Sequence, residues 1–201
     1  FEILTRLRPS RVNRLGGLGV LNLEGIWSRY EDADQQLDRI AKAPPEMATK
    51  LMQEVYAEPV KPELIRRRIE EIKEEGAVAC GSLTPQKVNE HHELALDAGL
   101  DILVVQGTVI SAEHVSSSAD PLNLKEFIAE LSVPCVVGGC ASYNTGLHLM
   151  RTGAVGVLVG VGPGAACTTR GVLGLGVPQA TAIADVAAAR SQHMMETGQY
   201  C

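Results

Sequence analysis

No stretch of this sequence is apolar for long enough to span a membrane, although 45% of its 201 residues are hydrophobic. No signal-peptide pattern opens it. Arg6, Arg8, Arg11 and Arg14 stud its start and no apolar segment follows them there. Basic charge is not in excess: the formal net charge is -6, which argues against a general nucleic-acid binder. Paired cysteines are lacking too. Cys80, Cys135, Cys140, Cys167 and Cys201 are odd in number, follow no pair spacing and fall mostly in strand-like runs. A reduced, cytoplasmic protein without a disulfide frame is therefore expected. His91 and His92 are adjacent, but with no Cys or carboxylate pattern around them they read as surface residues of a helix rather than metal ligands. No Gly-x-Gly-x-x-Gly follows the first strand with an acidic residue about 20 positions on, which weakens a dinucleotide-binding open sheet.

What is present is an alternation. Residues 14–19 should end a helix at glycine, and 20–23 read as a short buried strand. Residues 30–41 predict a helix with Leu37 and Ile40 apolar, and after Pro44-Pro45 a second covers 46–57, with Met47, Leu51 and Val55 on one face. Residues 62–75 predict a third. Pro62 suits its first turn, Leu64, Ile65, Ile69 and Ile72 make its apolar stripe, and Glu70 and Glu74 lie on its solvated side. Beyond it, strands are predicted over 77–83, 101–106, 134–138 and 155–159, and helices over 85–98, 122–131, 143–152 and 178–197. Continuously apolar strands alternating with helices indicate a parallel sheet with helices outside. An open doubly wound sheet and a (β/α)8 barrel both satisfy the pattern, and the length suits one domain. Residues 1–13 show no period and stay unassigned.

The most informative stretch is 157–179. Val155, Val157, Leu158 and Val159 form a β-prone run that breaks at Gly160, Gly162, Pro163 and Gly164. Glycines there allow a tight loop whose amides can hold an anion or whose carbonyls can face a cation. Cys167 follows, with Thr168, Thr169 and Arg170 behind it. A thiol beside amide donors and a cation can ionise below its ordinary value, and the thiolate is the nucleophile. Read alone, a Cys such as Cys167 is more often a buried structural residue of a turn, and Thr169 could equally be a helix-cap hydroxyl.

The run Gly160-Val161-Gly162-Pro163-Gly164-Ala165-Ala166-Cys167-Thr168-Thr169-Arg170, followed by Gly174-Leu175-Gly176-Val177-Pro178-Gln179, resembles the active-site loop of IMP dehydrogenase and GMP reductase. Leu15-Gly16-Gly17-Leu18-Gly19-Val20-Leu21-Asn22-Leu23-Glu24-Gly25 and Leu51-Met52-Gln53-Glu54-Val55-Tyr56-Ala57-Glu58-Pro59 are similar to the IMP dehydrogenase-related proteins that lack a regulatory CBS pair. The likeness covers residues 14–200. It implies an α/β fold of the (β/α)8 TIM-barrel kind. Residues 14–201 would be a truncated barrel holding strands two to six, since the family's first strand is not recognisable before Leu15 and the sequence stops where a seventh would begin. Residues 26–62 leave no room for CBS modules, so regulation through them is not expected.

The same resemblance implies the chemistry. Cys167 would attack C2 of the purine of IMP or GMP, a hydride would pass between that adduct and NAD or NADP, and Thr169 would hydrogen-bond the attacking water or departing ammonia. Gly164, Ala165, Ala166 and Cys167 would hold the nucleotide, Gln106 would touch the cofactor, and carbonyls of Gly162, Gly164 and Cys167 could take potassium. A homo-oligomer, a tetramer, is implied for the parent protein. Four positions depart from the better-known enzymes. Ala165 replaces a phosphate-contacting Ser, Gln106 an Asp at the nicotinamide ribose, Gly139 an Asn and Leu158 a Lys. The competing expectation is a catalytically idle barrel half that binds nucleotide or partner chains. A chain without the phosphate loops after strands seven and eight is expected to hold IMP or GMP weakly, show no turnover and self-associate through bare strand edges.

Overall fold

A computed structural model describes residues 9–107, 110, 113–114 and 122–201. Of the unassigned start, residues 1–8 lie outside the described residues, and Pro9–Arg14 forms a short helix, α1. The chain divides into two compact units, Phe1–Leu83 with Glu90–Ile102, and Thr84–Asn89 with Leu103–Cys201.

In the first unit, strand β1 (Val20–Asn22) pairs in parallel with β2 (Cys80–Leu83), in the register Val20↔Cys80. Between them run a 3-10 turn (Ile26–Ser28) and the helices α2 (Ala33–Lys42), α3 (Pro45–Tyr56) and α4 (Pro62–Glu74). The apolar stripe of α4 is buried as its spacing predicts, through Leu64, Ile65, Ile69 and Ile72. Each such side chain contributes about 1.5–3 kcal/mol by leaving water. Arg68 is buried on the same helix, which the stripe did not announce. Its guanidinium donates to the carbonyls of Trp27 (3.2 Å) and Glu31 (2.8 Å), pairs with Glu71 (2.9 Å) and stacks 5.5 Å from the centre of the Trp27 ring. A buried cation persists when its donors are matched in this way, and Arg68 thereby ties the 3-10 turn to α4. Strand β2 begins later than predicted because the preceding residues finish α4: Ala77 N–H donates to Ile72 O (3.2 Å). Met47, expected on the inner face of α3, is exposed.

Helix α5 (Val88–Asp97) also starts later than predicted, after a turn in which Thr84 O accepts from the Lys87 and Val88 amides. His91 on this helix is buried rather than on the surface, with Nε2 3.6 Å from Glu90. Among the described residues no cluster of His, Cys, Asp or Glu is arranged to hold a metal.

The second unit supplies the clearest parallel ladder. Strand β3 (Ile102–Gln106) pairs with β6 (Cys135–Cys140), and β6 pairs with β7 (Gly156–Val159). A small antiparallel pair, β4 (Glu113–His114) with β5 (Leu122–Asn123), precedes helix α6 (Leu124–Glu130). Asn123 caps α6 by accepting from the amides of Lys125 and Glu126, so two residues read as helix are extended instead. Helix α7 (Tyr143–Met150) packs against α9 (Gln179–Thr197), where Gly146 leaves room for Val186. The fold is thus α/β with parallel strand pairing, and all five predicted strands are present as β1, β2, β3, β6 and β7. A barrel closes with eight; five parallel-paired strands are found among the described residues. No helix among those residues is long and apolar enough to cross a membrane.

Candidate active site

The C-terminal ends of β3, β6 and β7 lie level, which is where a parallel sheet presents its loops for chemistry. Gln106 closes β3 in register with Gly138, and Gly138 lies opposite Leu158. Backbone bonds continue past the strand ends. Gly107 N–H donates to Gly138 O (2.8 Å), Gly139 N–H to Gly107 O (3.1 Å) and Gly160 N–H to Cys140 O (2.7 Å). A Cβ on Gly138 would stand 2.4 Å from Leu158 Cβ, so glycine there is what lets β6 and β7 approach at their functional end. Gln106 keeps a half-buried side chain on this edge, Gly139 is buried and Leu158 is half-buried in β7.

From that edge the chain leaves β7 into the glycine loop. Val161 is buried, Gly162 adopts a positive φ of 66°, and residues 163–168 are exposed. Cys167 N–H turns back to Gly164 O (3.1 Å). Among the described residues, the amides of Gly164, Ala165 and Ala166 donate to no protein acceptor, and the three residues are exposed. A short helix, α8 (Thr169–Leu173), follows. Thr169 is its first residue, and its N-cap, Thr168, makes no side-chain capping bond. Thr169 is therefore not the cap. Its Oγ1 lies 3.2 Å from Cys167 Sγ.

That contact dominates the electrostatics. The Thr169 hydroxyl beside the sulfur holds the exposed Cys167 thiol below its ordinary value, the Thr169 backbone N–H adds to this, and the Arg170 cation contributes a smaller pull. Each stabilises negative sulfur, since a hydrogen bond or cation favours the charged form. The other thiols move oppositely. Burial pushes Cys80 and Cys140 up to about 11 and Cys135 up to about 12. All five cysteines are free.

Two residues of the block gain roles beyond the sequence reading. Gln179, first residue of α9, donates through Nε2 to Val159 O (2.9 Å) and pins that helix to the end of β7. Arg170, expected only as a nearby cation, donates through Nη2 to Val177 O (2.9 Å). Both bonds link stretches far apart in the loop, and no local period encodes them. Gln106 is fixed at the end of β3, whereas Cys167 lies on the loop beyond β7. In the first unit an open hollow of about 470 Å³ between α2 and α3 is lined by Arg39, Lys42, Pro44, Met47, Leu51 and Glu54. Its lining holds no thiol, hydroxyl or imidazole.

The IMP dehydrogenase / GMP reductase domain matches residues 10–197. An uncharacterized oxidoreductase of Mycolicibacterium smegmatis is 47% identical over 193 residues, 93% of this chain and 52% of that protein. An inosine-5'-monophosphate dehydrogenase of Thermoplasma acidophilum is 44% identical over 92 residues, 46% of this chain and 18% of that protein. The crystal structure of an IMP dehydrogenase/GMP reductase-like protein from Corynebacterium glutamicum aligns with a TM-score of 0.87 at 44% identity, covering 96% of this chain and 51% of its own. The chain spans about half the length of the curated relatives it matches.

Proposed function

This chain belongs to the IMP dehydrogenase / GMP reductase family of oxidoreductases, and we propose that its protein acts on IMP or GMP through Cys167 in a (β/α)8 barrel of which these strands are part. The observation that carries the reading is the exposed Cys167 thiol 3.2 Å from Thr169 Oγ1, on a loop leaving the C-terminal end of a parallel strand.

The residues divide the work as follows. The Thr169 hydroxyl donates to the ionised sulfur, keeping it a nucleophile. Cys167 Sγ forms a bond to C2 of the purine. From IMP, C2 would then give up a hydride and water would displace the sulfur; from GMP, ammonia would leave C2 and an incoming hydride would displace the sulfur. Thr169, within reach of the sulfur, holds that water or ammonia. A nicotinamide cofactor, NAD or NADP, supplies or takes the hydride when bound. The free amides of Gly164, Ala165 and Ala166 take the nucleotide phosphate, with Ala165 contributing no hydroxyl. Gln106 fits the cofactor side in donor chemistry, since its half-buried amide can both donate to and accept from ribose hydroxyls. Carbonyls of Gly162, Gly164 and Cys167 suit a monovalent cation such as potassium, a hard ion that takes neutral oxygens. Gly164 O spends one lone pair on Cys167 N–H and keeps the other. As part of the same proposal, the whole protein assembles as a homotetramer, an expectation that comes from the family resemblance alone.

The test follows absorbance of the nicotinamide with purified protein, first with GMP and reduced cofactor, then with IMP and oxidised cofactor. Purine-dependent turnover that Cys167→Ala abolishes is the expected result, and its direction separates reductase from dehydrogenase. No turnover in either direction, with IMP still shielding Cys167 from a thiol reagent, would select the idle nucleotide-binding reading instead.

A further inference from the structure

Arg170 does more in this structure than lend a charge. Its side chain runs between two glycines from opposite ends of the loop. A Cβ placed on Gly176 would meet Arg170 Nε at 2.4 Å and Cγ at 2.6 Å. One placed on Gly162 would meet Arg170 Cγ at 3.2 Å. Beyond this passage the guanidinium donates through Nη2 to Val177 O at 2.9 Å. Val177 N–H in turn donates to Val161 O at 3.2 Å. The two ends of the Cys167 loop are therefore bonded to each other, and one side chain is threaded through the junction.

We propose that Arg170 is a clasp: a positioning residue that closes the loop from Gly162 to Val177 and so fixes Cys167 and Thr169, and that Gly176 is glycine to let it pass. The proposal rests on the reading of Cys167 as the nucleophile only for its catalytic consequence. Physically it follows from exposure. Residues 163–168 are exposed and α8 buries no side chain, so hydrophobic packing does not hold this segment in place. Polar closure has to do so. Arg170 begins one residue after Thr169, inside the first turn of α8, so a fixed Arg170 fixes the helix start and with it the 3.2 Å contact between Cys167 Sγ and Thr169 Oγ1. Backbone at Gly176 without a Cβ is what permits an Arg to lie flat against it. The guanidinium can hold its place and its charge at once, because only one of its donors is committed to Val177 O.

The clasp is separable from the charge. Gly176→Ala keeps the Arg170 cation but blocks its passage, whereas Arg170→Ala removes both. Three readouts are taken on the full chain: amide exchange in peptides covering 160–177, the pH profile of Cys167 alkylation, and, where turnover is measured, kcat against KM. Both variants are expected to lose exchange protection in that stretch alone, with melting temperature held, and to move the alkylation profile to higher pH. Turnover should fall in kcat by about tenfold to a hundred-fold, the cost of a displaced catalytic group. The double variant Arg170→Ala with Gly176→Ala should be no worse than Arg170→Ala, since Gly176 matters only through Arg170. Wild-type exchange and an unmoved alkylation profile in Gly176→Ala would overturn the clasp, as would additive effects in the double variant. If Cys167→Ala retains turnover, the nucleophile reading fails, and the clasp is then judged on exchange and alkylation alone.

Discussion

Cys135 and Cys140 lie inside β6, shut from water, while Cys167 sits on the loop that leaves β7, exposed and beside a hydroxyl, an amide and a cation. The same thiol is pushed up to about 12 at Cys135 and held below its ordinary value at Cys167. The contrast shows what a parallel sheet does with cysteine. Within a strand, sulfur is a small apolar filler whose ionisation the surroundings oppose. At the strand's C-terminal end, the chain turns its amides outward, and those amides, with whatever hydroxyl and cation follow, favour the charged form. The difference lies in burial, which raises the thiols in β6, and in the Thr169 hydroxyl beside the exposed Cys167, to which the backbone amide and Arg170 add.

Four substitutions sharpen or break that contrast, in descending order of effect. Cys167→Ala is expected to lower turnover by about a thousand-fold or more, as loss of a covalent nucleophile does. The steady-state assay with IMP or GMP reads this directly, and retained turnover would move the chemistry elsewhere. Gly138→Ala acts on the sheet edge that presents the loop. Its Cβ meets Leu158 Cβ at 2.4 Å and Leu158 O at 2.8 Å, and a backbone atom cannot swing aside. A loss of about 1–3 kcal/mol in denaturant stability is expected; an unchanged midpoint would show that β6 and β7 are not so close. Cys135→Ala removes only buried sulfur. It should cost about 1 kcal/mol and leave turnover alone, and a loss of activity would contradict the assignment of Cys135 to the core. Thr169→Val, the smallest of the four in its effect on stability, deletes the hydroxyl at Cys167 Sγ while keeping the backbone. The thiol should then titrate at higher pH, so that alkylation at a fixed neutral pH slows because less thiolate is present. An unmoved profile would assign the depression to Arg170 and the amide instead.

Much of this was legible before any coordinates. The strand-helix alternation placed β1, β2, β3, β6 and β7, because buried parallel strands are continuously apolar and their helices carry a 3.6-residue stripe. Leu64, Ile65, Ile69 and Ile72 announced the buried face of α4 in the same way. The residues that escaped are polar ones whose partners are distant in sequence. Arg68 reads as a solvated charge until the carbonyls of Trp27 and Glu31 surround it, and His91 reads as surface until α5 is packed. In the candidate site, Cys167 and Thr169 were legible as neighbours in sequence. Their 3.2 Å contact was not, because it depends on α8 starting at Thr169 and not one residue earlier. The role of Gly176 was hidden altogether, since nothing in a glycine says which side chain lies against it.

The proposal at the centre is that Cys167, a thiol held below its ordinary value, attacks a purine nucleotide. The measurement that tests it most directly is quantitative peptide mass spectrometry of iodoacetamide labelling at each of the five cysteines across pH, with and without saturating IMP. The folded-state pKa of Cys167 is lowered, so its labelling should rise at lower pH than an ordinary thiol's, whereas Cys80, Cys135 and Cys140, all raised, should stay unlabelled until far more alkaline conditions. IMP should slow labelling at Cys167 and nowhere else. Labelling of Cys167 at the pH of an ordinary thiol, with no protection by IMP, would contradict the account.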